Sequence, residues 1–247
     1  MALDRETDFT WFGHAALRIG TPGGKAILVD PWLGNPNSPI TVDEIDRCDL
    51  LLLTHGHFDH MGNGASDVLA IASRLQPTWP MIHEASLWFG RRLPGGMDAV
   101  IGMNAGGTVE VGGIRVTMTP AVHSAGDWNP AGETTLYLGD PVGFLIELEN
   151  GFRIYESGDT DVFGDMALIR ELYRPELAIL PIGGHYTMGP RGAAKAVELL
   201  GVKHVIPVHY GTFPVLTGRP EELRVELDAR GLRDVEIHAV EPGGTIR

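Results

Sequence analysis

A single cysteine, Cys48, stands among 247 residues. One thiol can neither close an intrachain disulfide nor supply a Cys-rich zinc module, so packing must hold the fold, and a reducing cytoplasm is the compartment that fits. No stretch approaches the roughly 20 uninterrupted apolar residues of a membrane-spanning helix. The opening, Met1 to Thr10, is polar and acidic rather than basic and then apolar, which predicts neither a cleaved secretory leader nor a membrane anchor. Positive charge is scarce as well: 19 Lys and Arg face 32 Asp and Glu, a formal net charge of −13. That field repels a phosphate backbone unless a local basic patch reverses it, and no such patch is present, so nucleic acid is not an expected partner. Low-complexity segments, short repeats and Ser/Gly linkers are missing too, and residues 1–247 read as a single domain.

What is present is an ordinary globular composition, 43% hydrophobic and 21% charged, in which 33 glycines punctuate many short elements. Strand-type runs are Phe9–Trp11, Ala15–Ile19, Lys25–Val29, Leu50–Leu53, Met81–Ile82, Val109–Val111 and Ile114–Thr119, with helical periods over Ser66–Leu75 and Glu84–Leu93. Further on, Gly143–Leu148 and Phe152–Tyr155 flank Glu149-Asn150-Gly151, a hairpin signal. Helices then alternate with strands: Val162–Leu172, Leu177–Ile182, Arg191–Leu200, His204–Val208, Glu221–Ala229 and Val235–Val240. Strands in both halves, each set followed by helices, predict an α/β fold in four layers, a helix–sheet–sheet–helix sandwich.

The chemistry concentrates in Thr54-His55-Gly56-His57-Phe58-Asp59-His60, directly after the apolar run Leu50–Leu53. A buried strand that ends in a Gly-containing turn throws several side chains toward one point beyond the sheet edge. Three imidazoles and a carboxylate there make a cradle for zinc or a comparable divalent ion. His123, Asp159 and His209 each follow another predicted strand, which completes a set of five histidines and two aspartates. His185 also follows a strand and is a candidate for contacting substrate or stabilising an oxyanion. His14 divides evenly between a structural and a pocket role, whereas His83, His204 and His238 read as structural. Cys48 reads as a small core residue, and packing is the default for Trp32, Trp79, Trp88 and Trp128.

In that order, His55, His57, Asp59, His60, His123, Asp159 and His209 resemble the ligand series of the metallo-β-lactamase fold superfamily. The strings Ser157-Gly158-Asp159-Thr160, Leu180-Pro181-Ile182-Gly183-Gly184-His185 and Ile206-Pro207-Val208-His209-Tyr210-Gly211, with Trp11-Phe12-Gly13-His14-Ala15 and Asp30-Pro31, are similar to metal-dependent hydrolases related to L-ascorbate-6-phosphate lactonase. The resemblance implies two divalent ions, zinc or manganese. His55, His57 and His123 would hold the first, Asp59, His60 and His209 the second, and Asp159 would bridge them. It implies a hydrolase that uses a metal-bridging hydroxide on a small ester, lactone or phosphorylated substrate, with Asp59 and His185 in catalytic roles and Arg191 as a candidate phosphate contact. A homo-oligomer is implied as well. Asp30 or main-chain carbonyls are expected to fix the imidazole tautomers. Two alternatives stay open: a phosphodiesterase or nuclease of the same fold, and a metal-bound ligand-sensing scaffold without turnover.

Overall fold

The computed structural model describes Leu3, residues 6–129 and residues 132–247, with the side chain of Trp128 outside what is described. The first half contains β1 (Asp8–Trp11), β2 (Leu17–Gly20), β3 (Ala26–Val29), β4 (Leu50–Leu52), the single turn α1 (Phe58–Met61), α2 (Ser66–Leu75), β5 (Pro80–Ile82), α3 (His83–Gly90) and β6 (Ile101–Met103). Next come β7 (Thr108–Val111), β8 (Ile114–Pro120), the short pair β9 (Asp127–Asn129) and β10 (Thr134–Leu136), and the hairpin β11 (Val142–Glu147) and β12 (Arg153–Glu156). The rest alternates: α4 (Met166–Tyr173), β13 (Leu177–Pro181), α5 (Pro190–Leu200), β14 (His204–Val208), α6 (Pro220–Ala229), β15 (Glu236–Ile237) and finally β16 (Thr245–Ile246).

One sheet has the order β16-β1-β2-β3-β4, and the other β15-β14-β13-β12-β11-β8-β7. The parallel pair β5-β6 continues the first sheet beyond β4, because Leu51 N–H donates to Thr78 O at 3.0 Å and Thr78 N–H to Asp49 O at 3.1 Å. The period of two decides which side chain faces which layer. In β11, Phe144 and Ile146 enter the core shared with the first sheet, while Leu145 packs under helices. In β13, Leu177 and Ile179 face inward, and Ala178 and Leu180 face outward. Met166 of α4, Val197 of α5 and Leu223 of α6 cover that outer face, and Val68 and Ile71 of α2 with Phe89 of α3 join the core on the first sheet's side. The result is the four-layer αββα sandwich, and each fully buried Leu, Ile or Phe contributes roughly 2 kcal/mol through its removal from water.

Several boundaries depart from the sequence reading. The helix expected over Val162–Leu172 begins only at Met166, because Thr160 and Asp161 are tied to another loop: Val122 N–H donates to Thr160 Oγ1 at 2.9 Å and Asp161 N–H to Val122 O at 3.0 Å. The helix expected to reach Leu93 ends at Gly90, since Pro94 disfavours helical geometry at the residue before it. The last expected strand shrinks to Glu236–Ile237, and α1, β6, β9, β10 and β16 have no counterpart in the expected set. The hairpin at Asn150-Gly151 forms, with Gly151 at φ +85° and Phe152 N–H donating to Asn150 Oδ1 at 3.0 Å. Cys48 is buried, its Sγ 3.4 Å from Leu50 O.

Strand direction positions the site. β1, β3 and β4 run the same way in the first sheet, as do β8, β12, β13 and β14 in the second. Their C-terminal ends therefore share one edge of each sheet, and the two edges meet where His209 N–H donates to His14 O at 2.8 Å and Val142 N–H to Thr54 O at 3.0 Å.

Candidate metal centre

Each strand end in that seam delivers one or more polar side chains. β1 leads to His14, β3 to Asp30, β4 and α1 to His55, His57, Asp59 and His60, β8 to His123, β12 to Asp159, and β14 to His209. The approach is close enough to demand glycine. A Cβ on Gly158 would lie 2.7 Å from both Thr54 Cβ and Val142 O, and its φ of +57° is one that L side chains rarely adopt. His14, Asp30 and His209 also have positive φ, at 52°, 42° and 53°. Such backbone costs of order 1–3 kcal/mol per residue and persists where surrounding structure enforces it, as at functional sites.

Asp30 is the hub beneath the ligands and is fully buried. Its Oδ1 accepts from Thr54 N–H at 2.8 Å, and its Oδ2 accepts from Thr54 Oγ1–H at 2.6 Å and from His60 Nδ1–H at 2.7 Å. Because the Thr54 hydroxyl proton is spent on Asp30, its oxygen is left to accept from His55 Nδ1–H at 3.0 Å. One carboxylate thus sets the tautomers of two imidazoles and leaves both Nε2 lone pairs facing the seam.

Above Asp30 the ligand atoms converge. Asp159 Oδ2 lies 3.1 Å from His209 Nε2, 3.3 Å from His60 Nε2 and 3.6 Å from His123 Nε2. The ligand atoms of His55, His57 and His123 lie within 4.8 Å of one another, and so do those of His14, Asp59, His60 and His209. Asp159 stands between these groups. His60 Nε2 and His209 Nε2 are buried, and neither makes a well-aligned hydrogen bond even to the nearby Asp159 Oδ2. Buried polar atoms of this kind are costly unless something pairs with them. A divalent cation fits the donor set, which is all nitrogen and oxygen.

Charge follows the same geometry. Burial keeps His55 well below the usual imidazole range and His57 at about 4, so both are neutral and able to ligate. Burial alone would lower His60 too, but Asp159 and Asp30 outweigh it and hold its pKa well above normal, so a cation would bind at its Nε2 by displacing a proton. Burial works against ionising Asp59 and Asp159, yet the hydrogen bond from His14 to Asp59, and His209 and His60 around Asp159, keep both carboxyls well below the ordinary range.

His14 is the residue that sequence reasoning left undecided, and it joins this site. Its Nε2–H donates to Asp59 Oδ2 at 3.1 Å, its ring lies 3.9 Å from that of His209, and burial lowers its pKa to about 4. Trp32, expected only to pack, meets His14 edge-on at 5.2 Å and lies 5.6 Å from Phe58 and 6.0 Å from Phe213. Tyr210 stacks on Trp11 at 5.1 Å. His185 is elsewhere: exposed, at φ 62°, its ring 4.5 Å from that of Tyr186. Arg191 is exposed on α5.

A cavity of about 560 Å³ opens over the centre. His57, Asp59, His123 and Asp159 form its floor, and Phe58, Ser124, Tyr186, Phe213 and Val215 its walls. Among these described lining residues there is no lysine or arginine, and neither His185 nor Arg191 is one of them.

Residues 25–210 match the model of a family described as a beta-lactamase superfamily domain. A UPF0173 metal-dependent hydrolase of Koribacter versatilis is 45% identical over 237 residues, covering 96% of each chain. The corresponding protein of Rubrobacter xylanophilus is 45% identical over 238 residues, covering 96% of this chain and 95% of the other. Among solved structures, Igni18, a metallo hydrolase from the hyperthermophilic archaeon Ignicoccus hospitalis, superposes with a TM-score of 0.82 at 34% identity over 97% of both chains.

Proposed function

Because the chain belongs to the beta-lactamase superfamily domain family and to the UPF0173 metal-dependent hydrolases, we propose that it hydrolyses a small, neutral ester or lactone with an apolar flank. His55, His57 and His123 would hold one divalent cation, Asp59, His60 and His209 a second, and Asp159 both; nitrogen and oxygen donors suit zinc and manganese alike. When bound, such cations polarise a substrate oxygen and lower the pKa of bound water from 15.7 to roughly 7.

The chain's own groups complete the chemistry. Asp59 is ionised at neutral pH and oriented through Oδ2 by His14, so its carboxylate can take the proton of the attacking water. Asp30 keeps His60 and, through Thr54, His55 in their ligating tautomers. Phe58, Phe213 and Val215 exclude water around the scissile group. His185, on the exposed rim beside Tyr186, would touch only the distal end of a longer substrate, so His185→Ala should raise KM more than it lowers kcat.

The observation that carries the substrate class is that the described wall residues include no cation. A phosphorylated substrate would need a charged partner for its phosphate away from the metals, and with a net charge of −13 the surrounding field adds none. A panel of p-nitrophenyl esters and alkyl-substituted lactones, compared with a phosphorylated sugar lactone and bis-p-nitrophenyl phosphate on zinc- or manganese-loaded protein, tests this. We expect kcat/KM to rise with acyl length and to fall about tenfold or more in Phe213→Ala, since a lost apolar contact is worth roughly 1–3 kcal/mol. Preference for the phosphorylated lactone or the phosphodiester overturns the substrate class. Full metal loading with no turnover of any probe favours the ligand-sensing scaffold. Cytoplasmic location and self-association belong to the same proposal, and light scattering tests the latter.

A further inference from the structure

His204 and His238 read as structural in the sequence, yet sheet register brings them together with Glu236. β14 and β15 run parallel with His204 paired to Glu236, so these two side chains leave the sheet on the same face. His238 follows Glu236 by two positions, and main-chain pairing continues to it, because its N–H donates to Val205 O at 2.8 Å. The period of two returns it to that face. Ile206 and Val208, on the same side of β14 as His204, point into the core between the sheets, whereas Val205 and Ile237 pack under the helices. The three polar side chains therefore sit at the inner margin of the sheet, where the core ends. His204 begins β14 and His209 follows its other end, about 16 Å of extended chain away.

The ligand atoms converge on one point. His204 Nδ1 lies 3.0 Å from His238 Nε2 and 3.6 Å from Glu236 Oε2, and the carboxylate oxygen is 4.0 Å from His238 Nε2. Tetrahedral zinc with bonds of about 2.0–2.2 Å spaces its ligands about 3.3–3.6 Å apart. The observed distances bracket that edge, so an ion could enter with adjustments of a few tenths of an ångström. Burial lowers the pKa of both imidazoles, which leaves them neutral at neutral pH. His204 is buried and His238 partly so, and the Glu236 side chain is 44% exposed.

We propose that His204, Glu236 and His238 form a second, peripheral site for a zinc-class divalent cation, separate from the centre at His55–His209, that ties the short edge strand β15 to β14. Two imidazoles and one carboxylate are the donors such an ion prefers. Without an ion, the same two imidazoles would share one proton in a simple hydrogen bond, and the experiment separates these states.

Protein with its main centre already loaded is titrated with zinc alone, and bound zinc per chain is read by elemental analysis after gel filtration. Wild type is expected to take up one equivalent more than His238→Ala, and Glu236→Gln to bind that equivalent at least tenfold more weakly. The extra equivalent should persist in Asp159→Ala, which damages only the main centre. In that background zinc should also raise the melting temperature, and the rise should vanish when His238→Ala is added. His238 and Glu236 lie at partly exposed positions, so these variants are expected to fold, and cooperative melting checks it. Equal zinc uptake by wild type and a folded His238→Ala variant overturns the proposal, as does loss of the extra equivalent in Asp159→Ala.

Discussion

Asp30 accepts three hydrogen bonds, and two of them decide where imidazole protons sit. Asp30→Asn replaces an acceptor oxygen with an NH₂ that cannot accept from His60, so the metal affinity of the centre should fall about 10- to 100-fold while the fold survives; competition with a chromogenic chelator measures it, and unchanged affinity would remove Asp30 from this role. Glu156 behaves oppositely. It is buried, with Gly158 N–H donating to Oε1 at 3.1 Å, and burial first, then the charge of Asp30, pushes its carboxyl well above the ordinary value of 4.5. A raised folded pKa gives stability that is complete below the unfolded pKa and is lost as pH rises toward the folded one. Glu156→Gln keeps the acceptor for Gly158 and removes the titration. The variant should match wild type near pH 4 and exceed it in urea stability at about pH 8, and a constant difference at both pH values would contradict the assignment. His55, His57, Asp59 and His60 were legible because they are adjacent in the chain. Asp30 was legible only as a candidate, and His14 not at all beyond even odds, because their partners lie 24 to 45 positions away.

The elements reach the site by how closely their ends approach. A Cβ on Gly183, just past β13, would lie 2.1 Å from the carbonyl oxygen of His209. Gly183→Ala should therefore cost about 1–3 kcal/mol by overpacking and displace His209 as well. Denaturant unfolding reads the first effect and metal content the second; a stable variant with full metal would show that the loop yields without moving the ligand. Long elements with one clear period were legible: α2 spans Ser66–Leu75 and β14 spans His204–Val208, the ranges the sequence implies. Several short elements were not. Strands β9, β10 and β16 have two or three residues each, too few to show alternation, and exist because a partner strand is alongside. The late start of α4 has a similar origin, since Thr160 and Asp161 bond to the His123 loop rather than to a helix.

For the whole molecule, the proposed centre would act as a rivet between the two sheets, because its candidate ligands come from both. Bound metal at about 100 times its Kd adds roughly 2.7 kcal/mol to stability, equivalent to a rise of about 5–10 °C in melting temperature for a chain of this size. Adding a chelator should lower the melting temperature by that amount while leaving unfolding cooperative; no change would mean that the sheets hold together without the metal. What the sequence determined by itself was what depends on neighbours along the chain: the layered α/β pattern, from hydrophobic periods and their order, and the candidate metal cradle of Thr54–His60, from the density of ligand-type side chains. What tertiary structure decided was what depends on distance across the chain. The common direction of β1, β3, β4, β8, β12 and β14 brings their C-terminal ends to one seam, Asp30 and His14 become partners of residues in another strand, and the described residues of the cavity wall include no cation. Each of these is set by which strand ends meet, and strand pairing is a contest among distant segments that no local pattern records.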